Sequence, residues 1–304
     1  MYPLLLNAPS KDRLWGGRRI YDILGLPKYE NASELWLLSS KSEGVCTVKN
    51  GEYKDMGLDA LFDEKGRAIG GRKLKKGTEL PFFIRLTDAK DRLPIGVATH
   101  ERLIYVAEAS ENSQMIYGFT RDITADELSR RISSNTLSPV CNYVPLKKGD
   151  LINVPAGLLH AIGKDVLFFE ASHADEEFFA VSDYGRTAPD GSRVPLDIRN
   201  AQRIIKTTAA TTAAARLEDT FLYPFGTVSE IPSTEGLSVS LIRLDGSAGL
   251  REDDSFVSVI LTSGSAALSY PSGTINLNPL DSVLIPAGIP VKFTGYGDIL
   301  CSHI

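Results

Sequence analysis

A segment that occurs twice in this chain constrains its fold more than any other feature. Residues 149–162 read GDLINVPAGLLHAI, and residues 280–293 read LDSVLIPAGIPVKF. Each copy has an acidic residue, an apolar strand, a Pro-Ala-Gly turn and a second apolar strand. Upstream of the two copies, residues 103–118 and 256–271 both have the pattern of a hairpin with a small polar turn. A repeated supersecondary unit of this kind predicts two copies of one β-barrel.

The remaining sequence is typical of short strands separated by Gly, Pro, Asn and Asp, with few helical patterns. One helix is expected over residues 124–135, where Thr124 and Glu127 have the spacing of a capping box. A second is expected over residues 195–206, with Pro195 as its first residue. The predicted fold class is mainly all-β, with two jelly-roll barrels and a few short helices.

A low-complexity stretch divides the chain. Residues 207–215 read TTAATTAAA and contain no large side chain, which favours a linker. We therefore expect an N-terminal barrel with helical insertions over residues 1–206 as the candidate active-site domain, a linker at 207–216, and a degenerate C-terminal barrel over 217–304.

Composition excludes several kinds of partner. The 33 Lys and Arg residues against 38 Asp and Glu residues give a net charge of −5, which argues against nucleic acid. No apolar run is long enough for a membrane span or a signal peptide, so no membrane partner is expected. Three scattered cysteines without a CxxC pair indicate reduced thiols in the cytoplasm. The expected partner is a small molecule, bound by a monomer or a homodimer.

His160 is the candidate metal ligand of the first repeat. It follows the Pro-Ala-Gly turn and opens a strand, which is expected to direct the imidazole into the barrel. A neutral imidazole on a rigid strand suits Zn²⁺ or Fe²⁺. The alternative is a buried histidine satisfied by one hydrogen bond. The second repeat has Pro290 near the equivalent position, so that half is expected to bind no metal.

Several motifs occur in one order along the chain. They are RLWGG at 13–17, SELW at 33–36, LPFFIRLTDA at 80–89, and FFEAS followed by SDYGR between 168 and 186. Together with PAGLLHA, they resemble the type I mannose-6-phosphate isomerases of the short bacterial form, in the cupin superfamily. The resemblance covers nearly the whole chain. It implies two cupin barrels and one divalent metal, usually zinc, that helps to interconvert mannose 6-phosphate and fructose 6-phosphate through an enediol.

The chain departs from this family at the metal site. The family uses a Gln, a His, a Glu and the cupin His as ligands, and His160 alone is retained. The other three positions, and that of a catalytic Arg, are held by Gly96, Ala98, Arg102 and Ala180. One histidine does not hold Zn²⁺ tightly, because catalytic sites normally supply three protein ligands.

Replacement ligands are available nearby in the sequence. If a metal is bound at His160, Glu101 or His100 would complete its shell, and His173 is a more distant candidate. A polar hairpin tip is the favoured alternative for Glu101 and His100, because neighbours on a strand face opposite sides and at most one of the two would point inward.

The substrate site has its own candidates. Arg85 stands where the family has a Lys, and Arg186 belongs to a retained DYxR pattern with Asp183 and Tyr184. Arg85 and Arg186 are the candidate catalytic and phosphate-binding residues, while Trp15, Asp183 and Tyr184 are candidates for substrate binding. The alternatives are a structural ion pair for Arg85, a packed indole for Trp15 and a polar loop for the rest.

Two functions follow from these residues. The first is a metal-dependent mannose-6-phosphate isomerase acting on a sugar phosphate in the first barrel. The second is a catalytically inert or altered sugar-phosphate-binding regulatory bicupin, and reaction with a different sugar is a further variant. The ligand set distinguishes them, because each substitution removes a group that the family's chemistry uses.

Overall fold

Strands dominate the computed structural model, which confirms the predicted mainly β class. The structure describes residues 1–25, 32–75, 77–188, 190–210, 220–231 and 233–304. Up to residue 210 it has strands β1 (Leu4–Asn7), β2 (Ser10–Lys11), β3 (Glu34–Leu38), β4 (Thr47–Val48), β5 (Phe82–Ala89), β6 (Ile95–Ala98), β7 (Arg102–Ala109), β8 (Gln114–Phe119), β9 (Cys141–Pro145), β10 (Leu151–Val154), β11 (His160–Ile162), β12 (Val166–His173) and β13 (Phe178–Ser182). Beyond it are β14 (Thr220–Tyr223), β15 (Gly226–Ile231), β16 (Ser238–Leu250), β17 (Val257–Tyr270), β18 (Gly273–Leu277), β19 (Ser282–Ile285) and β20 (Val291–His303).

Helices are short and belong to the first half. The described residues contain α1 (Arg19–Leu24), α2 (Leu58–Gly70), α3 (Ala125–Ser133) and α4 (Ile198–Ile204). Within this part of the chain, no helix is long and apolar enough to cross a membrane.

The first half is built from two antiparallel sheets. The six-stranded sheet has the order β10-β7-β12-β5-β3-β2, and the five-stranded sheet has the order β13-β6-β11-β8-β9. Because side chains alternate between the two faces of a strand, each sheet sends every second residue toward the same interior. The two strands expected at 103–118 are present as β7 and β8, but the predicted hairpin is wrong: β7 pairs with β10 and β12 in the six-stranded sheet, whereas β8 pairs with β11 and β9 in the five-stranded sheet.

The second half forms one large sheet that also takes strands from the N-terminus. Its order is β14-β15-β16-β20-β17-β19-β1-β4, with β18 beside β17. Leu4 of β1 lies opposite Leu284 of β19, so the first strand of the chain completes the second half. Residues 211–216 of the predicted linker lie outside the described residues.

The hairpin predicted over residues 256–271 is wrong. This segment is one strand, β17, which pairs with β20 over most of its length. A register shift between Leu261 and Ser263, next to Gly264 at φ 91°, bends the strand without reversing it. The small residues therefore form a bulge, because a continuous partner strand is present on that side.

The predicted helix over 124–135 is confirmed as α3. Its Thr124 hydroxyl accepts the Glu127 backbone N–H at 3.1 Å, as a capping box requires. The helix expected from Pro195 begins later, because the Asp197 carboxylate caps α4 by accepting the Asn200 N–H. Pro195 is therefore outside the helix.

Helix α2 was not predicted, and it packs at the junction of the two halves. Phe256, next to the start of β17, lies between Phe62 of α2 and Phe82 of β5, with ring centroids 5.8 Å and 5.4 Å apart. All three rings are buried in one hydrophobic core that contains residues of both halves. This shared core holds the second half against the first.

Candidate active site

A cavity of about 580 Å³ lies between the two sheets of the first half. The six-stranded sheet contributes side chains from β3, β5, β7 and β12, and the five-stranded sheet contributes side chains from β11 and β13. The lining residues that matter for the chemistry are Arg13, Trp15, Glu34, Lys41, Arg85, Arg102, His160, Glu170, Glu176 and Phe178. Trp15 and Arg85, two of the predicted substrate-binding residues, thus line this cavity.

Arginines and glutamates alternate across the floor of this cavity. Glu170 of β12 lies opposite Arg85 of β5 in the antiparallel register, and Glu34 is on the next strand, β3. Arg85 lies 2.9 Å from Glu170 and 3.5 Å from Glu34. Arg13 continues the row with a contact of 2.9 Å to Glu34. Arg85 is therefore paired on both sides.

Arg102 extends the row to the other end. Its guanidinium lies 3.5 Å from Glu170 and 2.5 Å from Glu176, and 4.6 Å from the centre of the Phe178 ring. The side chain is only 7% exposed. Buried charges are costly unless they are paired, so three arginines alternating with three glutamates form the arrangement that burial requires.

The pKa values follow from this pairing. Desolvation alone would lower the pKa of Arg85, but Glu170 and Glu34 outweigh it and raise that pKa. Desolvation alone would raise the pKa of Glu170, but Arg102 and Arg85 outweigh it and lower that pKa. Both groups therefore remain charged at neutral pH.

His160 opens β11 and is nearly fully buried. Its Nδ1–H donates to the Leu158 carbonyl at 2.9 Å, which leaves the lone pair on Nε2. Within the described residues, Nε2 is buried and has no hydrogen-bond partner. Desolvation, followed by the charge of Arg102, lowers the pKa of His160 to about 4, so the imidazole is neutral at physiological pH.

An aromatic ring fills the space on one side of His160. Gly96 lies opposite both His160 and Ala180 in the five-stranded sheet. A Cβ at Gly96 would lie 2.5 Å from Cζ of Phe178, whose ring centre is 5.6 Å from that of His160. Any larger side chain at Gly96 would displace this ring.

The zinc ion that the resemblance implies does not fit at His160. Within the described residues, His160 belongs to no group of three potential ligands. Among the charges that act on the pKa of His160, the Arg102 guanidinium has a larger effect than the Glu170 and Glu176 carboxylates, and it would repel a divalent cation placed at Nε2. The barrel cavity thus contains a fixed organic cation beside its histidine.

Glu101 faces away from the cavity and binds the second half of the chain. Its carboxylate accepts the backbone N–H groups of Thr234 and Glu235, the Ser233 hydroxyl and the Asn153 amide. Desolvation acts to raise the pKa of Glu101, but these hydrogen bonds outweigh it and lower that pKa. The structure therefore uses Glu101 to hold the loop at residues 233–235.

His100 lies with His173 and Glu235. Its Nδ1 is 2.9 Å from a Glu235 carboxylate oxygen, and His173 Nε2 is 3.6 Å from the same oxygen. One ligand atom from each residue lies within 4.8 Å of the others. Among the described residues this is the one group of three that could hold a divalent cation.

The DYxR residues lie beside the main cavity. Arg186 donates to the Asp183 carboxylate and, at 2.6 Å, to the Arg92 carbonyl. Tyr184 lines a second cavity of about 380 Å³, where the Arg92 guanidinium stacks on its ring at 3.7 Å. None of the three predicted residues is among those that line the main cavity.

Sequence reasoning missed four lining residues. Glu170 interrupts the apolar run VLFFEAS, the same signal that identified Arg85. Lys41, Glu176 and Phe178 follow no pattern that would have marked them. Lys41 Nζ donates to the Glu176 carbonyl at 3.2 Å and, within the described residues, pairs with no carboxylate.

No protein-family model matches the sequence. Individual proteins match it over almost their whole length. The chain is 28% identical over 320 residues to a putative mannose-6-phosphate isomerase, YvyI, of Bacillus subtilis strain 168. It is 27% identical over 325 residues to the mannose-6-phosphate isomerase of Streptococcus mutans. Both alignments cover 99% of this chain and at least 98% of the relative.

A solved structure agrees with these sequence matches. The crystal structure of the mannose 6-phosphate isomerase from Bacillus subtilis superposes with a TM-score of 0.90 at 26% identity, over 100% of both chains. The chain is similar over its full length to proteins named mannose-6-phosphate isomerase. The resemblance and the cupin fold predicted from the sequence are thereby confirmed. The phosphomannose isomerase of Salmonella typhimurium shares the fold with a TM-score of 0.81 at 14% identity.

Replacing the central carboxylate, Glu170, tests the ion-pair row. Glu170→Gln leaves Arg85 and Arg102 with one buried partner fewer, and we expect the free energy of unfolding to fall by about 3–5 kcal/mol. Urea unfolding measures the change. Glu64→Gln, which removes an exposed pair with Lys65, should leave the unfolding midpoint close to that of the wild type. Equal effects of the two substitutions would contradict the account.

The buried neutral state of His160 makes a prediction about pH. Its pKa is about 4 in the folded protein against about 6.5 in the unfolded chain, so the unfolded state binds more protons in between. The stabilisation from neutral His160 is therefore complete above pH ~6.5 and is lost as pH falls toward 4.

Between pH 7 and pH 4.5 the wild type should lose about 2 kcal/mol more stability than His160→Asn. Urea unfolding at both pH values measures this difference. Subtracting the pH dependence of the variant removes the contribution of the carboxylates, which both proteins share. Identical pH dependence of the two proteins would show that His160 is not held neutral by burial.

Proposed function

We propose that this protein interconverts mannose 6-phosphate and fructose 6-phosphate in the cavity of its first half. The observation that carries the proposal is a neutral buried imidazole, His160, beside a fixed cation, Arg102. An aldose–ketose isomerisation needs a base for one C–H proton and a positive group for the negative enediolate oxygen. The full-length similarity to named isomerases supports the same substrate class.

The charge of the lining determines the proposed orientation of the substrate. Four cationic side chains face six carboxylates, namely Arg13, Lys41, Arg85 and Arg102 against Glu34, Glu43, Glu170, Glu176, Glu177 and Asp197. A phosphate dianion is disfavoured among the inner carboxylates, which suit sugar hydroxyl donors. We propose that the phosphate binds at Lys41 and Arg13, because Arg13 is 38% exposed and Lys41 has no carboxylate partner among the described residues.

The proton transfer uses the open-chain sugar. His160 Nε2 takes the proton from C2 of the aldose and returns it to C1, while the proton on O2 passes to O1, leaving a carbonyl at C2. A base with a pKa of about 4 is as strong as a glutamate, so neutral His160 can perform this step. Arg102 stabilises the intermediate enediolate oxygen without any movement of charge.

Arg85 and Arg186 take supporting parts in this proposal. Arg85 is paired on both sides and keeps Glu170, and thereby Arg102, in position. Arg186, Asp183 and Tyr184 support the wall beside the cavity. We further propose the cytoplasm as the location, where the three buried free thiols stay reduced.

Zinc has a different place in this proposal from the one implied by the family. A divalent cation fits the group of His100, His173 and Glu235, and two imidazoles with one carboxylate are typical ligands of Zn²⁺. We therefore propose zinc as the ion at this group, and no part of the proton transfer depends on it.

A coupled assay tests the isomerase proposal. Protein stripped with a chelator and checked by elemental analysis should convert mannose 6-phosphate to fructose 6-phosphate. Turnover that appears only after zinc is added would contradict a reaction supported by Arg102. Binding of fructose 6-phosphate without turnover, with or without zinc, would establish the inert sugar-phosphate-binding alternative instead.

Two substitutions separate the proposed roles. Arg102→Gln should lower kcat by about 10²–10³-fold, because it removes a preorganised charge from the transition state. Lys41→Gln should raise KM about tenfold with little change in kcat, because it removes uniform binding of phosphate. Lys148→Gln, an exposed lysine outside the lining, is the matched control. If Lys41→Gln behaved as the control does, the proposed phosphate position would be wrong.

A further inference from the structure

His100, His173 and Glu235 come from three separate parts of the chain. His100 lies in the turn between β6 and β7, His173 is the last residue of β12, and Glu235 lies in the loop between β15 and β16. The first two belong to the first half and the third to the second half. None of them lines the proposed substrate cavity.

The three residues are held in place before any ligand arrives. Glu101 accepts the backbone N–H of Glu235, and the Ser172 hydroxyl donates to the Glu101 carbonyl at 2.8 Å. His173 is fixed by strand pairing with Phe82. The imidazole rings of His100 and His173 are stacked with centroids 5.0 Å apart. Such a preorganised group needs little reordering to bind an ion.

The charges around the cluster favour a cation. Glu235, Glu101 and Asp175 are all carboxylates, and within the described residues none of them forms an ion pair with Lys or Arg. His173 Nε2 is buried and, in the same described part, makes no hydrogen bond. The cluster therefore offers two imidazole nitrogens and one carboxylate with surplus negative charge.

A neighbouring residue completes the arrangement expected around a metal-binding histidine. With Nδ1 of His100 directed at Glu235, its Nε2 lies 3.5 Å from the Asp175 carboxylate. A ligating histidine usually donates its second ring N–H to a carboxylate or carbonyl, which fixes the ring and increases its basicity.

We propose that His100, His173 and Glu235 form a zinc site that clamps the loop at residues 233–235 of the second half to the first half. The ligands are Nδ1 of His100, Nε2 of His173 and one carboxylate oxygen of Glu235, with a water molecule as the fourth. The role of the ion is structural. The proposal does not depend on isomerase activity, because its site lies outside the cavity.

Zinc binding to the stripped protein tests the proposal. Titration of the full chain with zinc chloride against a chromophoric chelator should give one ion per chain. His173→Phe keeps an aromatic ring but removes the nitrogen, and Glu235→Gln removes the charge. Each should weaken binding at least 100-fold, whereas His303→Phe, outside the cluster, should bind as the wild type does.

Thermal unfolding gives a second readout that is independent of turnover. Zinc should raise the Tm of the wild type and of His303→Phe, because an ion that binds only the folded state stabilises it. It should not raise the Tm of the cluster variants above the value that each has in chelator.

Two results would overturn the zinc clamp. One is the absence of stoichiometric zinc binding by the wild type, and the other is undiminished binding by both cluster variants. If His173→Phe fails to fold, Glu235→Gln alone decides, since an amide has nearly the shape of the carboxylate. If the wild type binds zinc but does not convert mannose 6-phosphate, the proposed function is refuted and the clamp still stands.

Discussion

The buried guanidinium of Arg102 is the constraint on which the rest of the cavity depends. A positive charge that is only 7% exposed requires carboxylates at contact distance, and Glu170 and Glu176 supply them. Glu170 in turn holds Arg85, so the row of charges is fixed across four strands of the six-stranded sheet. The same guanidinium helps to keep His160 neutral. Arg102 therefore contributes to both the charge of the site and, together with burial, the low proton affinity of His160.

This arrangement separates the positive charge of the cavity from the residues that suit a divalent cation. The positive charge in the cavity belongs to the polypeptide, and Phe178 occupies the space beside Gly96 where a ligand side chain would have to extend. The residues suited to a divalent cation lie instead at the junction between the halves. The substitutions thus leave an organic cation in the cavity, and the cluster that could hold an inorganic cation lies outside it.

Local patterns predicted the parts of the structure that depend on neighbours in sequence. The Pro-Ala-Gly turns and the cap of α3 are of this kind. The β17 hairpin failed because the continuity of that strand depends on its partner β20. Arg85 could be recognised as a charge in an apolar run, but Glu101 meets a loop more than 130 residues away. Such contacts are invisible in a single sequence because only the fold brings their residues together.

Locating zinc in crystals of the protein tests the central claim most directly. Diffraction data collected on both sides of the zinc absorption edge would show the ion in an anomalous difference map. The account predicts a peak between His100, His173 and Glu235, with the Arg102 guanidinium still beside His160 and no zinc bonded to Nε2. A peak at bonding distance, about 2.0–2.1 Å, from His160 Nε2 would contradict it.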